Sequence, residues 1–290
     1  MSEDDAIRSI TVRTWSELLE QLHSTTIIPK NPHQGDHYRS PYAFRGMSCA
    51  TWPLATSLER LSSPSTIVEP ALLRSFRKYA PRGTFAGDSD WEALAVAQHN
   101  GLPTRLLDWS VSPLIATHFA TAERQYFGAD GAVWCVNVIA LKNVLFPIEM
   151  QEALREAKAA LFDVTLLEQL YRRVTDFDAT HARFGDTSVF FEPPSIDARI
   201  ANQTGILSAM NGCELSHQAY FARIAATHPN AVFRVIIDKG AKPEIRDMLD
   251  QNNIHERMLF PGLPGLCEWL KRYYGPADPV RAAVSSRVVP

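Results

Sequence analysis

Residues 41–60 read PYAFRGMSCATWPLATSLER and place a single arginine between an aromatic residue and a glycine. Tyr42, Ala43 and Phe44 form a β-favouring run, which predicts a strand that ends at Arg45. Gly46 then leaves no side chain to shield the guanidinium. Two interpretations follow: Arg45 pairs with an internal carboxylate and ties two elements together, or it binds an anionic ligand.

The segments around this stretch alternate between helical and strand patterns without a strict βαβ order. Amphipathic or capped patterns predict helices over residues 14–22, 69–80, 89–98, 112–124, 150–174, 243–249 and 266–273. Apolar runs predict strands at residues 104–109, 131–140, 187–193 and 231–238, and another that ends at Phe260. The pattern predicts an α+β fold, with a mixed, mostly antiparallel sheet and flanking helices.

Composition limits the function classes. The chain has 290 residues, of which 46% are hydrophobic and 21% charged, and we expect one domain over residues 1–275 with a poorly ordered tail at 276–290. A net charge of -3 predicts no basic field over the whole protein, but it is compatible with a local basic cleft. The sequence shows neither a signal peptide nor an apolar run of membrane-helix length, so we expect a cytoplasmic protein with no membrane partner.

The cysteines and histidines do not predict a metal centre. The four cysteines stand far apart in the sequence and are expected to be free thiols that pack in the fold (Cys49, Cys135, Cys213 and Cys267). The nine histidines form no closely spaced pair of the kind that binds zinc. We therefore expect no metal cofactor.

The densest polar cluster is QHNGLPTRLLDWSVSPLIATHFA, residues 98–120. Strand alternation places Thr104, Asp108 and Ser110 on one face and Arg105 on the other. His99 stands at the end of the preceding helix. So many polar groups between two apolar helices indicate the edge of a cleft. A structural role remains open for each charged residue: Asp108 as a cap or an arginine partner, His99 as a helix cap, and Arg105 in an ion pair.

A second polar cluster is EPPSIDARIANQTGILSAMNG, residues 192–212. Its NQTG segment brings the amides of Asn202 and Gln203 to a turn, where they can reach a ligand. The alternative is a solvated helix whose Ile196 and Ile200 point inward. A third segment, residues 254–274, is expected to be architectural.

These blocks resemble the FRG domain family, whose motif reads AFRGMS at residues 43–48. The resemblance continues through WPLATSLER and QHNGLPTRLLDW, returns in DARIANQTGIL at residues 197–207, and ends in ERMLFPGLPGLCEWLK. It runs from about Ile7 to Tyr274. The chain departs from the family pattern at Asn100 and at Ile206–Leu207. Neither change touches the polar residues named above.

The first two motifs are also similar to those of mono-ADP-ribosyltransferases of the Arg-Ser-Glu type, which implies an ADP-ribosyltransferase-like fold. In those enzymes an aromatic-Arg-Gly strand holds the NAD pyrophosphate, as Arg45 and Gly46 would do here. A hydroxyl strand then contacts the nicotinamide ribose, a role that the resemblance implies for Ser110 and Thr104. We also expect cofactor contacts from His99 and Arg105, and NAD as the substrate.

The third element of that resemblance is a glutamate, and this sequence has Gln203 instead. Gln203 can hydrogen-bond a ribose but carries no charge, so Asp108, Asp197 or Glu192 could supply the carboxylate that stabilises an oxocarbenium-like transition state. Three hypotheses follow: an NAD-consuming or ADP-ribosylating enzyme, a non-catalytic module that senses a nucleotide or phosphorylated ligand, or a nuclease-like hydrolase using His99, Asp108 and Arg105. The sequence does not decide whether the acceptor is a protein or a nucleic acid. The bacterial and phage-associated proteins in which the family occurs imply a toxin or phage-defence setting.

Overall fold

The protein forms one mixed sheet with helices on both faces. The computed structural model describes residues 6–24, 27–31, 37–61, 65–195, 197–212 and 216–275. Three predictions concern residues outside these ranges: the tail at 276–290, the inward orientation expected of Ile196 and the free thiol expected at Cys213. Cys49, Cys135 and Cys267 are free thiols.

Ten strands lie within the described residues. They are β1 (Ser9–Val12), β2 (Lys30–Asn31), β3 (His37–Tyr38), β4 (Tyr42–Met47), β5 (Leu107–Ser110), β6 (Gly131–Asn137), β7 (Phe162–Asp163), β8 (Ser188–Glu192), β9 (Gly205–Met210) and β10 (Val232–Ile237). β2 and β3 form a small separate ribbon, and the other eight form one sheet in the order β1-β10-β6-β4-β5-β9-β8-β7.

The helices fill the connections between these strands. They are α1 (Trp15–Leu22), α2 (Ser65–Tyr79), α3 (Asp90–His99), α4 (Pro113–Thr121), α5 (Val138–Leu145), α6 (Ile148–Glu156), α7 (Val164–Leu170), α8 (Val174–Ala179), α9 (His181–Phe184), α10 (Ala198–Gln203), α11 (His217–Thr227), α12 (Lys242–Gln251), α13 (Glu256–Leu259) and α14 (Leu263–Tyr273). Short 3₁₀ turns lie at Arg124–Tyr126 and Lys239–Ala241.

Most strand pairs in the large sheet are antiparallel. β1 pairs in parallel with β10 and β7 with β8, whereas the five pairs between them along the sheet are antiparallel. The predicted α+β class, with a mostly antiparallel sheet and flanking helices, is confirmed.

The sheet opens between β4 and β5. β4 pairs with β6 along its whole length, from Tyr42 opposite Asn137 to Met47 opposite Ala132. Within the described residues β4 pairs with β5 at a single position, Phe44 opposite Ser110. The two halves of the sheet therefore meet near one end of β5 and are not paired along the rest of it.

Three apolar clusters cover the sheet. One face packs against α5 and α11 through a cluster that includes Trp109 and Phe221. The opposite face is divided: α1, α4 and α12 cover β4, β6 and β10, while α3 and α6–α8 cover β8 and β9. Asp108 and Ser110, the polar positions of β5, alternate with Leu107 and Trp109 and so belong to the divided face.

Local signals correctly predict several helix starts. Thr14, Ser89 and Ser112 each accept a hydrogen bond from a backbone amide three residues later, at Glu17, Glu92 and Ile115. The predicted strand at 131–140 ends instead at Asn137, because that side chain accepts from the Ala140 amide and begins α5.

Three further segments differ from expectation. The single helix predicted over residues 150–174 is interrupted, because α6 ends at Glu156 and β7 intervenes before α7. For residues 198–210 the sequence analysis predicted a turn, with a helix as the alternative, and no strand. The segment contains α10 and β9, because Asp197 caps the helix and the apolar run after Gly205 pairs with β5 and β8. The strand expected to end at Phe260 is the short helix α13. His255 begins it by accepting the Met258 amide at Nδ1, 3.2 Å away.

Gly46 allows α4 to lie directly on β4. A Cβ atom built at Gly46 would lie 1.8 Å from the carbonyl oxygen of Ala116 and 2.6 Å from the nitrogen of Ala120. Both atoms are helix backbone, so α4 itself would have to move. The sequence interpretation linked Gly46 to an unshielded guanidinium, but the contact that excludes a side chain is with α4.

We expect Gly46→Ala to lower the free energy of unfolding by about 2 kcal/mol or more, because overpacking against a helix backbone shifts whole elements. Urea denaturation followed by circular dichroism measures the effect. Gly128→Ala is the matched control, since its Cβ would meet nothing within 4 Å. A control-like value for Gly46→Ala would show that α4 is free to move away from β4.

Candidate functional site

A cavity of about 660 Å³ lies where β4 and β5 separate. Its walls come from β4, β5, β9, α3, α4 and α10, together with the loop that follows β4. Six of the residues predicted from sequence line it: Arg45, Gly46, His99, Asp108, Ser110 and Gln203. Three segments that are far apart along the chain therefore meet at one site: residues 41–60, 98–120 and 192–212.

Arg45 spans the opening in the sheet. Its Nη1 donates to the main-chain carbonyl of Asp108 at 2.6 Å and lies 4.0 Å from the Asp108 Oδ2. The Asp108 side chain is 63% exposed, so Arg45 is not neutralised by a buried acid. Nε of Arg45 is buried without a hydrogen-bond partner among the described residues. The guanidinium thus keeps donors that a ligand could use.

The electrostatics of Arg45 reflect this position. Burial lowers its pKa from the ordinary value, the carboxylate of Asp108 acts in the opposite direction, and the positive charge of Arg60 lowers the pKa further. An anionic ligand at the cavity would favour the charged guanidinium.

Asp108 is held by a short chain of hydrogen bonds. Thr104 Oγ1 donates to Gln98 Oε1 at 2.5 Å, and Gln98 Nε2 donates to Asp108 Oδ2 at 2.6 Å. Thr104 is buried and does not line the cavity, so the ribose contact expected from it is replaced by this indirect role. Gln98 was not predicted as a site residue, yet it positions the carboxylate.

Arg105 lies outside the cavity. Its Nε donates to both carboxylate oxygens of Glu69 at 2.9 and 2.8 Å, and its Nη2 donates to Asp178 at 3.0 Å. Burial alone would lower the pKa of Arg105, but the two acids raise it. Its planar fork is occupied by protein carboxylates, so the structure places Arg105 away from the cavity in which a cofactor contact was expected. The structure likewise does not join Arg105 to His99 and Asp108.

Ser110 connects β5 to the segment at residues 192–212. Its Oγ donates to the main-chain carbonyl of Gln203 at 2.8 Å, lies 2.9 Å from Thr204 Oγ1 and accepts the Ser112 amide at 3.0 Å. Thr204 has a φ of 44°, a left-handed conformation that is costly for a β-branched residue. Ser110 therefore fixes the strained turn that presents Gln203.

Gln203 is anchored by the C-terminal helices. Its Nε2 donates to the carbonyl of Leu259 at 3.1 Å, and the neighbouring Asn202 Nδ2 donates to the carbonyl of Met258 at 2.7 Å. A carboxylate at position 203 would bring an oxygen against the Leu259 oxygen. The amide is thus required by local packing, whatever its role toward a ligand.

His99 pairs with Asp197 at the cavity wall. His99 Nε2 lies 2.8 Å from Asp197 Oδ2, and Oδ1 of Asp197 accepts the Arg199 amide at the start of α10. Burial would raise the pKa of Asp197, but these hydrogen bonds lower it. Asp197 and Glu192 are not among the lining residues, whereas Asp108 is.

Besides Gln98, sequence reasoning missed several lining residues with charged or aromatic side chains. They are Trp52, Arg60, Phe119, Glu123 and Arg199. Trp52 and Arg60 lie in the WPLATSLER segment, whose pairing of an aromatic ring with a cation is the signal that could have found them. Glu123 and Arg199 lie among ordinary surface charges in the sequence and carry no such signal.

Helices α13 and α14 are held by a buried charge network. Arg272 donates to Glu256 and to Asp250, and Arg246 donates to Glu256 at 2.8 Å and to His118 Nδ1 at 2.8 Å. Burial would raise the pKa of Glu256, but Arg272 and Arg246 lower it to about 2. Since α13 carries the carbonyls that anchor α10, this network supports the cavity wall.

Two further properties concern the described residues. No group of three His, Cys, Asp or Glu side chains within them is arranged to hold a metal ion. None of the helices seen in these ranges combines the length and the apolarity that crossing a bilayer requires.

These observations define an α+β protein with a cation-lined cavity in the opening of its sheet. Residues 40–128 match the family model described as the FRG domain. The match covers β4, α2, α3, β5 and α4, but it includes neither residues 192–212 nor α13–α14. No curated protein and no solved structure matches the chain.

We expect the protein to lose stability as the pH falls below about 6.5. Burial and the charge of Arg246 lower the pKa of His118 from 6.5 to about 3, and burial, with Arg45 and Arg105, does the same for His217. The unfolded chain therefore takes up protons that the folded chain excludes. Each histidine lowers the free energy of unfolding by up to about 1.4 kcal/mol per pH unit in this window.

Urea denaturation between pH 6.5 and about pH 5 tests this, because Glu256 stays mostly ionised there in both states. His118→Gln keeps an acceptor but cannot be protonated, so its slope should be shallower by up to about 1.4 kcal/mol per pH unit. Equal slopes for the variant and the parent chain would contradict the assignment to His118.

Proposed function

We propose that the cavity binds NAD and that the protein is an ADP-ribosyltransferase-like or NAD-glycohydrolase-like enzyme. In this reaction the bond between the ribose C1′ and the nicotinamide nitrogen breaks, and its electron pair leaves with nicotinamide. Water or an acceptor nucleophile then bonds to C1′ and loses a proton. The transition state carries positive charge on the ribose, which a nearby carboxylate stabilises.

The observation that carries this proposal is the arrangement of Arg45, Ser110 and Gln203. Their elements are neighbours: β4 next to β5, β5 next to β9, with α10 leading into β9. This is the order of arginine strand, hydroxyl strand and third element that the sequence resemblance implies. All three side chains line one cavity.

The size and charge of the cavity support a nucleotide. Its volume of about 660 Å³ falls within the range of small-molecule and cofactor sites. Three arginines line it, Arg45, Arg60 and Arg199, against the carboxylates of Asp108 and Glu123. The excess of positive charge favours phosphate groups.

Asp108 is the carboxylate best placed for the chemical step. It lines the cavity together with Arg45, its side chain is largely exposed, and Gln98 fixes one of its oxygens. In this proposal Arg45 binds the pyrophosphate, and Asp108 stabilises the charge that develops on the ribose. Ser110 positions Gln203, whose side-chain amide hydrogen-bonds a ribose hydroxyl.

We expect Arg45→Lys to weaken NAD binding and nicotinamide release by about tenfold or more, because lysine keeps the charge but loses the planar fork. Chromatography of nicotinamide, with and without protein and nucleic-acid acceptors, measures turnover. Arg74→Lys, an exposed arginine of α2 outside the cavity, is the matched control. Turnover by Arg45→Lys at the parent rate, or none by the parent protein with any acceptor, would refute the enzymatic proposal.

A non-catalytic, ligand-sensing module is the second candidate function, and the Gln203 contact favours it. The amide donates to the Leu259 carbonyl, so the protein holds a neutral group where the resemblance implies a carboxylate. Such a site binds NAD or ADP-ribose without breaking the glycosidic bond. A ligand at 100 times its Kd adds about 2.7 kcal/mol to the folded state, which a thermal shift detects.

We expect Gln203→Glu to lower the free energy of unfolding by about 1–3 kcal/mol, because a hydrogen bond to Leu259 becomes a contact between two acceptors. Gln203→Met removes the bond without adding a charge and should cost less. Nicotinamide release by Gln203→Glu but not by the parent would assign the parent to binding. Unchanged stability in Gln203→Glu would show that the Leu259 contact does not select the amide.

The biological setting follows from the same proposal. An enzyme that consumes NAD or modifies a host component suits a cytoplasmic bacterial toxin or a phage-defence protein. The acceptor is identified by the labelled product formed with 32P-NAD, protein or nucleic acid.

A further inference from the structure

Two arginines from neighbouring parts of the chain line the cavity. Arg45 comes from β4 and Arg60 from the loop that follows it, and both line the cavity. The charge of Arg60 is close enough to lower the pKa of Arg45. Two neighbouring cations repel each other, and this cost falls when an anion lies between them.

The protein itself supplies little negative charge to this pair. Asp108 lies 4.0 Å from Arg45 and is shared with Gln98. The carboxylate oxygens of Glu123 accept from Ser48 and Gln125. Asp108 and Glu123, set against the three lining arginines Arg45, Arg60 and Arg199, leave a net positive charge for a ligand to balance.

Arg60 retains donors that a ligand can reach. Its side chain is exposed, and its Nη1 donates to the carbonyl of Ala55 at 2.8 Å. No other acceptor for its guanidinium lies among the described residues, although the group carries five N–H donors. The Ala55 contact keeps the guanidinium at the cavity while most donors remain unused.

Trp52, in the same loop, offers a flat apolar surface beside these cations. Trp52 lines the cavity and is 37% exposed, and Tyr126 packs edge-on against its ring at a centroid distance of 4.7 Å. A planar base or nicotinamide ring can stack on such a surface, as bases do on aromatic side chains elsewhere. The loop thus combines a phosphate-binding cation with a ring-binding aromatic residue.

We propose that Arg60 and Trp52 make the cavity selective for the nucleoside diphosphate part of its ligand. Arg45 and Arg60 each bind one phosphate of the diphosphate, and Trp52 stacks on the attached ring. This inference rests on the proposed nucleotide site, but it does not require that the site cleave NAD. It assigns a specificity role to a loop that sequence reasoning left without one.

Isothermal titration with ADP, AMP and inorganic pyrophosphate tests the inference. The parent protein should bind ADP about tenfold or more tightly than AMP, since the second phosphate adds charge-assisted hydrogen bonds. Arg60→Gln should remove most of this preference and weaken pyrophosphate binding, while AMP binding stays within about twofold. Arg74→Gln is the matched control, and circular dichroism checks the fold of each variant.

Trp52→Phe provides a second measurement. Nucleotide binding to the parent should quench tryptophan fluorescence, and the variant should lose that quenching while keeping its affinity for pyrophosphate. An ADP-to-AMP preference that survives in Arg60→Gln, or no preference in the parent, overturns the inference.

The outcomes also separate this inference from the enzymatic proposal. NAD cleavage with an unchanged ADP preference in Arg60→Gln would keep the enzyme and remove the specificity role. Diphosphate selectivity that depends on Arg60, without any nicotinamide release, would keep the specificity role and remove the enzyme.

Discussion

The bond from Arg45 Nη1 to the carbonyl of Asp108 joins the two halves of the sheet where their backbone pairing stops. β4 and β5 share one residue pair, so a side chain performs the task that a ladder of amides performs elsewhere in the sheet. The same guanidinium borders the cavity that the opening creates. Structural and ligand-binding roles of Arg45 are therefore not alternatives, because one nitrogen serves the fold and others remain free of protein partners among the described residues.

The cavity also depends on how closely the helices approach the sheet. Gly46 and Gly131 bring β4 and β6 against the backbone of α4, with added Cβ atoms 1.8 Å from the carbonyl oxygen of Ala116 and 2.6 Å from that of Ala120. This contact fixes α4 over one half of the sheet. α3 covers the other half, and the polar face of β5 between them is left for a ligand. A single continuous helical layer would have buried the Asp108 carboxylate, with only the Gln98 hydrogen bond and the Arg45 contact to offset its desolvation.

Sequence patterns correctly predicted the elements whose formation depends only on neighbouring residues. The caps at Ser89 and Ser112 and the apolar strand around Trp134 depend on neighbours within a few residues, and the sequence shows them directly. The partners of Arg105 could not be predicted, because Glu69 and Asp178 lie 36 and 73 residues away and any arginine near an apolar strand has the same local pattern. β9 was missed for the same reason: its strand identity comes from pairing with β5 and β8, not from its own alternation.

The segment that matches the FRG family supplies only part of the site. Residues 40–128 contribute Arg45, Asp108 and Ser110, whereas Gln203 comes from α10 and is held by the carbonyl of Leu259 in α13. α13 is held in turn by the buried pairing of Glu256 with Arg246 and Arg272. A buried acid between two arginines costs much to break, because each partner left alone is a desolvated charge. The position of Gln203 in the cavity thus depends on ionic contacts formed after residue 128, so the segment that matches the family model does not by itself form the whole cavity wall.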